Sequence, residues 1–121
     1  MHQPTPAVTR EDVLRIVRRD FSASRFAEVL AILRRYESPE PYRLWLAALK
    51  LAAGKMDALR RRIESARIDF RDVIAEAEYP VYTDSFLRVQ EMARQEKQKI
   101  IDRDWQQYQA WLYGKKAKTE D

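Results

Sequence analysis

The sequence predicts an all-α fold: a compact single-domain array of five or six helices around a central buried helix, with a long C-terminal helix. Three observations carry this prediction. The 121 residues include only two glycines and no cysteine, and Ala, Leu, Arg and Glu, all good helix formers, are abundant. Apolar residues recur at three- and four-residue spacing along most of the chain. In the stretch Pro41 to Gly54, every residue from Leu44 to Ala53 except Lys50 is apolar. A helix that is apolar nearly all round is buried on several sides, and at this length it is too short for a bilayer, which needs about 20 residues.

Taken in order, residues 1–8, with Pro4 and Pro6, read as a flexible tail, and residues 9–113 as the helical domain. Thr9 is a good N-cap, with Asp12 at the third helical position behind it. Val13, Leu14, Ile16, Val17 and Phe21 form the apolar stripe of this first helix, with Arg15, Arg18 and Arg19 on the other side. Ser22 or Ser24 ends it and starts a second helix, whose stripe is Phe26, Val29, Leu30, Leu33 and Tyr36. Pro39 and Pro41 punctuate the entry to the central helix, where a proline in the first turn removes no hydrogen bond. Gly54 stands where a helix ends on a left-handed residue.

A short helix is expected from about Met56, with Met56, Leu59, Ile63 and Ala66 inward. Asp69 then caps another, whose buried stripe is Phe70, Val73, Ile74 and Ala77. Pro80 stops that helix. Thr83 or Asp84 is expected to cap the last and longest helix, reaching Tyr113, with Phe86, Leu87, Val89 and Ala93 packed on the body. Its middle, Arg94 to Lys99, is wholly polar. Ile101, Trp105, Tyr108 and Leu112 share one face beyond that gap. Residues 114–121 read as a solvated tail. No internal repeat stands out, although successive short hairpins would suit a right-angled or solenoid-like array.

The net charge of +4 is unevenly spread. Residues 1–62 carry 13 basic and 7 acidic side chains, residues 63–87 carry 2 and 6, and residues 88–121 carry 8 and 6. A basic front and an acidic middle make the molecule dipolar, a pattern that steers partners or pairs internally.

Several chemistries find little support. His2 is the one histidine, and a lone terminal imidazole orients no nucleophile. With no cysteine and no second histidine there is no structural zinc pattern. Gly54 and Gly114 stand apart, so no glycine-rich phosphate loop exists. No cofactor is expected. The start MHQPTPAVTREDV has no apolar run of the kind a signal peptide needs, which leads to the expectation of a cytoplasmic protein with no membrane association.

Three residue sets remain as candidates. Asp69, Asp72 and Glu76 share a helix face and could hold a cation or work as acid and base, but capping, dipole stabilisation and a surface salt bridge are the better account of carboxylates there. Arg60, Arg61, Arg62 and Arg67, with Arg18, Arg19, Arg34 and Arg35, could form a phosphate-binding face, against the ordinary reading of solvated, salt-bridged surfaces. Trp105, Tyr108, Trp111 and Tyr113 are residue types common in binding hot spots, and aromatics at helical spacing are also ordinary core.

The stretch LKLAAGKMDALRRRIESARIDFRDVIAEAEYP, with DWQQYQAWL further on, resembles a group of short bacterial all-helical proteins with no assigned activity. The matching features are Gly54, Leu59, Asp69 to Val73, and Ala77 to Pro80. The resemblance implies a compact bacterial domain and carries no site residues with it. The functional expectation is a non-catalytic bacterial protein-interaction or accessory protein, of the immunity kind, that contacts a protein partner or a second copy of itself through Trp105, Tyr108, Trp111, Tyr113, Asp72 and Glu76. The alternative is nucleic-acid binding through Arg60, Arg61, Arg62 and Arg67.

Overall fold

A computed structural model describes residues 2–114. The elements in order are α1 (Arg10–Asp20), a 3-10 turn (Ala23–Arg25), α2 (Phe26–Leu33), α3 (Pro41–Ala52), α4 (Met56–Glu78), α5 (Pro80–Asp84), α6 (Phe86–Gln90) and α7 (Arg94–Tyr113). No strand occurs among the described residues, and no helix among them is long and apolar enough to cross a membrane.

The central helix is α3. Leu44, Leu46, Ala47, Ala48, Leu49 and Ala52 are all buried, with α4 packed along it and α1 beside it. Its apolar side chains divide between two clusters. Leu46, Ala48 and Leu49 join Val13, Ile16, Val17, Val29, Ile32, Leu33, Leu59, Ile63, Tyr108 and Leu112 in the larger one. Leu44 and Ala47 join Ala66, Val73, Ile74 and Ala77 in the smaller one, under the second half of α4. Nearly all-round burial is therefore what the apolar run from Leu44 delivers.

The expected punctuation holds at several points. Thr9 and Asp12 form a full capping box: the Thr9 hydroxyl accepts the Asp12 N–H at 3.3 Å, and the Asp12 carboxylate accepts the Thr9 N–H at 2.9 Å. Pro41 occupies the first turn of α3. The exit of α3 is left-handed over two residues, Ala53 at φ 50° and Gly54 at φ 80°. A Cβ on Gly54 would also stand 3.0 Å from the Asp20 carbonyl oxygen, so glycine serves both the turn and the close approach of α1.

The chain departs from expectation elsewhere. Neither Ser22 nor Ser24 supplies a cap bond, and the 3-10 turn makes the link into α2. The two helices expected from Met56 and from Asp69 run on as α4, with a break at Asp69, whose backbone (φ −155°, ψ 104°) is extended. The Asp69 carboxylate accepts the Arg71 N–H at 3.0 Å and so still acts as the local cap. The single helix expected from Thr83 or Asp84 is three elements. Ser85 lies outside helical geometry between α5 and α6, and Ala93 is extended (φ −61°, ψ 150°) before α7. The described residues accordingly form seven α-helices.

Residues 2–8 form no regular element and are tied to the body. Pro6 is buried, the Tyr79 hydroxyl donates to the Pro4 carbonyl, and the Gln98 side chain exchanges two hydrogen bonds with the backbone of His2, at 2.7 and 2.9 Å. Burial pushes the Tyr79 hydroxyl pKa up to about 12. The solvated tail expected beyond Gly114 lies outside the described residues.

Candidate functional site

The most distinctive surface is built where α4 turns into α5. Beyond Asp69, α4 buries Val73, Ile74 and Ala77 and leaves Asp72 and Glu76 outside. The helix ends at Tyr79, whose N–H bonds Ala75, and Pro80 opens α5 in the first turn. Glu78, only 2% exposed, is gripped by the Arg43 guanidinium through two bonds of 2.7 and 2.8 Å. Burial raises the Glu78 pKa, and the Arg43 bonds oppose that rise.

A five-residue helix is too short to stand by itself, and α7 supplies what α5 lacks. The Asp104 carboxylate accepts the N–H groups of Val81, at 3.3 Å, and Tyr82, at 2.8 Å. These are two of the donors that any helix start leaves unpaired, so Asp104 caps α5 from another helix. Gln107 donates to the Ala77 and Glu78 carbonyls at 3.4 and 3.3 Å, serving the end of α4 in the same way. Asp104 is buried; desolvation pushes its pKa up, and the two N–H donors pull it back.

With α5 held like this, it and α6 turn apolar side chains outward. Val81 is 52% exposed, Phe86 49% and Leu87 82%. Phe86 stands edge-on to Tyr82, with centroids 6.0 Å apart, and Val89 alone of α6 is buried. Phe86, Leu87 and Ala93 were expected inside and are exposed. Asp72, Glu76, Pro80, Val81, Thr83, Asp84 and Ser85 line a groove of about 700 Å³, and a second hollow, running from Thr83 to Arg88, shares its residues 83–85. The first groove's lining holds three carboxylates and no cation.

The other expected sites are rearranged. Tyr108 is fully buried with Leu112, which removes it from any partner-binding surface. Trp111 is half-buried against Tyr108, with centroids 5.5 Å apart, and under the Arg19 guanidinium at 5.2 Å. Trp105 is half-buried too, less than its place in the stripe implied. Tyr113, 62% exposed, lies under Arg15 at 5.3 Å. Arg15 and Arg19 also donate to the Leu112, Trp111 and Gly114 carbonyls, capping the end of α7. The aromatic end of α7 thus belongs largely to the body.

Half of the arginine set is ion-paired, Arg19, Arg60, Arg62 and Arg67, whereas Arg18, Arg34 and Arg35 are exposed with no ion pair among the described residues. Arg60 pairs with Asp57 and Glu28, Arg62 with Glu76 at 2.9 Å, and Arg67 with Glu64 at 3.7 Å. Arg61 is exposed and has no ion pair among the described residues. The carboxylate trio is likewise separated: Asp69 pairs with Arg71 at 3.1 Å and Glu76 with Arg62. Among the described residues, no three His, Asp or Glu side chains are gathered for a metal ion.

Sequence reasoning missed Val81, Asp84, Phe86 and Leu87. One signal was present: Leu87 and Val89 are two residues apart, so on a helix they point about 200° apart and cannot both face one body. Comparisons with known protein families, with characterised proteins and with solved structures find no match to this chain.

Proposed function

We propose that the chain is a non-catalytic protein-interaction domain, an accessory or immunity-like protein of the bacterial cytoplasm, and that it works through the α5–α6 face with Asp72 and Glu76. The observation that carries this reading is the outward display of Val81, Phe86 and Leu87 on two short helices, the first capped by Asp104 and the second seated on Val89. Clustered apolar side chains rimmed by charge are the usual mark of a protein contact. A fold that spends buried polar groups on holding such a face gives it one defined shape, and a preorganised face binds with less ordering to do.

Nucleic-acid binding is the second reading. It is favoured by a groove at the start of α4 lined by Arg25, Lys55, Arg60 and Arg61, with Asp57 as its one acid. Phosphate recognition there would weaken steeply as salt rises.

The test compares wild type with Phe86→Ser/Leu87→Ser as immobilised baits in lysate of the source cells. The expected outcome is a protein retained by wild type and lost from the double variant, with unchanged thermal melts. Identical retention by both baits removes the face from the function. Retention of nucleic acid alone, released by moderate salt, promotes the second reading.

A further inference from the structure

The α5–α6 face also carries information about what it holds. We infer that it docks a basic amphipathic α-helix of a partner protein, with apolar side chains on Val81, Phe86 and Leu87 and Lys or Arg side chains on Asp72 and Asp84. This rests on the protein-interaction reading above and narrows it to one class of partner segment.

Charge sets the sign. The groove beside Val81 is lined by Asp72, Glu76 and Asp84 without a cation. Of the cations around it, Arg62 is engaged by Glu76, which Lys50 also faces, Arg71 is engaged by Asp69 and lies near Asp72, and Arg88 stands at the far end of the adjoining hollow. Asp72 and Asp84 have no ion pair among the described residues, so two carboxylates remain for an incoming cation. The same charge disfavours an anionic membrane surface and nucleic acid at this face.

Spacing sets the shape. Asp72 and Glu76 are four residues apart on α4, which puts them about 6 Å apart along its axis. A cation on a partner helix therefore meets Asp72 one turn away from the Arg62–Glu76 pair. The described residues contain no strand, so no sheet edge is offered here to an extended peptide, and an open groove beside short helices suits the helix-in-groove mode. The groove and the hollow meet at residues 83–85, so one continuous surface offers acidic contacts first and Phe86 and Leu87 beyond them.

The experiment uses the full chain with three labelled synthetic helices that share one leucine face. Their polar faces carry lysine, glutamine or glutamate at four-residue spacing. Binding is read by fluorescence anisotropy at two salt concentrations, and the contact is mapped by backbone amide shifts. The lysine helix should bind best, weaken with salt and shift amides between Asp72 and Leu87. Asp72→Lys/Asp84→Lys should lose about tenfold in affinity for it and gain for the glutamate helix. Lysine-helix binding that maps elsewhere, or that the charge-reversed variant leaves unchanged, overturns the inference. Equal or better binding of the glutamine or glutamate helix at this face overturns the basic partner and leaves the interaction face standing. Self-association of wild type that Phe86→Ser/Leu87→Ser abolishes makes the occupant a second copy and overturns it as well.

Discussion

The bundle of α3 with the first half of α4 and the pair α5–α6 are held together by different forces. In the first, Leu46, Leu49, Leu59 and Ile63 are wholly buried and the helices carry their own weight through apolar packing. In the second, Val89 is the one buried side chain, and the fixing contacts are polar: Asp104 on the Val81 and Tyr82 amides, Gln107 on the α4 carbonyls, Arg43 on Glu78. Apolar burial is non-directional and tolerates small shifts, whereas a cap works only at one geometry. The bundle therefore supplies stability, and the clamp supplies the shape of the exposed face.

The comparison breaks or sharpens most at the centre of α3. Leu46→Asp should unfold the domain, because an unpaired buried charge costs several kcal/mol against a total of about 5–15 kcal/mol. A wild-type melt in this variant would mean that α3 is not the core.

A smaller effect is expected at the clamp. Asp104→Ala orphans two amides and should cost about 1–3 kcal/mol. Hydrogen exchange should show faster exchange at residues 81–90 while Leu46 to Leu49 keep their protection. Equal loss in both regions would mean that the clamp and the bundle are one cooperative unit.

The smallest effect belongs to the outer face. Leu87→Ser should change urea-unfolding stability by no more than about 0.5 kcal/mol, as at other exposed positions. A larger loss would place Leu87 in the packing and weaken the interaction reading.

What the sequence disclosed divides along the same line. The run from Leu44 to Ala53, the Thr9–Asp12 box, Gly54, the break at Asp69 and the stop before Pro80 are local patterns, and each is found in the fold. Asp104 and Gln107 act on residues more than 20 positions away, and Arg15 and Arg19 reach the carbonyls of α7. Nothing local marks such pairings, so Asp104 reads as a surface acid and Arg15 and Arg19 as a solvated basic stripe. The expected long helix from Thr83 failed for a related reason. With its first donors already met by Asp104, the chain from Pro80 is helical sooner than its own residues signal.

The cap at Asp104 also orders events as the chain is made. α1 to α4 hold most of their buried partners before residue 81 has been added, whereas the amides of Val81 and Tyr82 wait more than 20 residues for theirs. The far end of α7 in turn meets Arg15 and Arg19, more than 90 residues back. The acidic and apolar face thus lacks its cap until α7 has been added. If the face binds a partner as proposed, that partner would discriminate finished molecules from nascent ones.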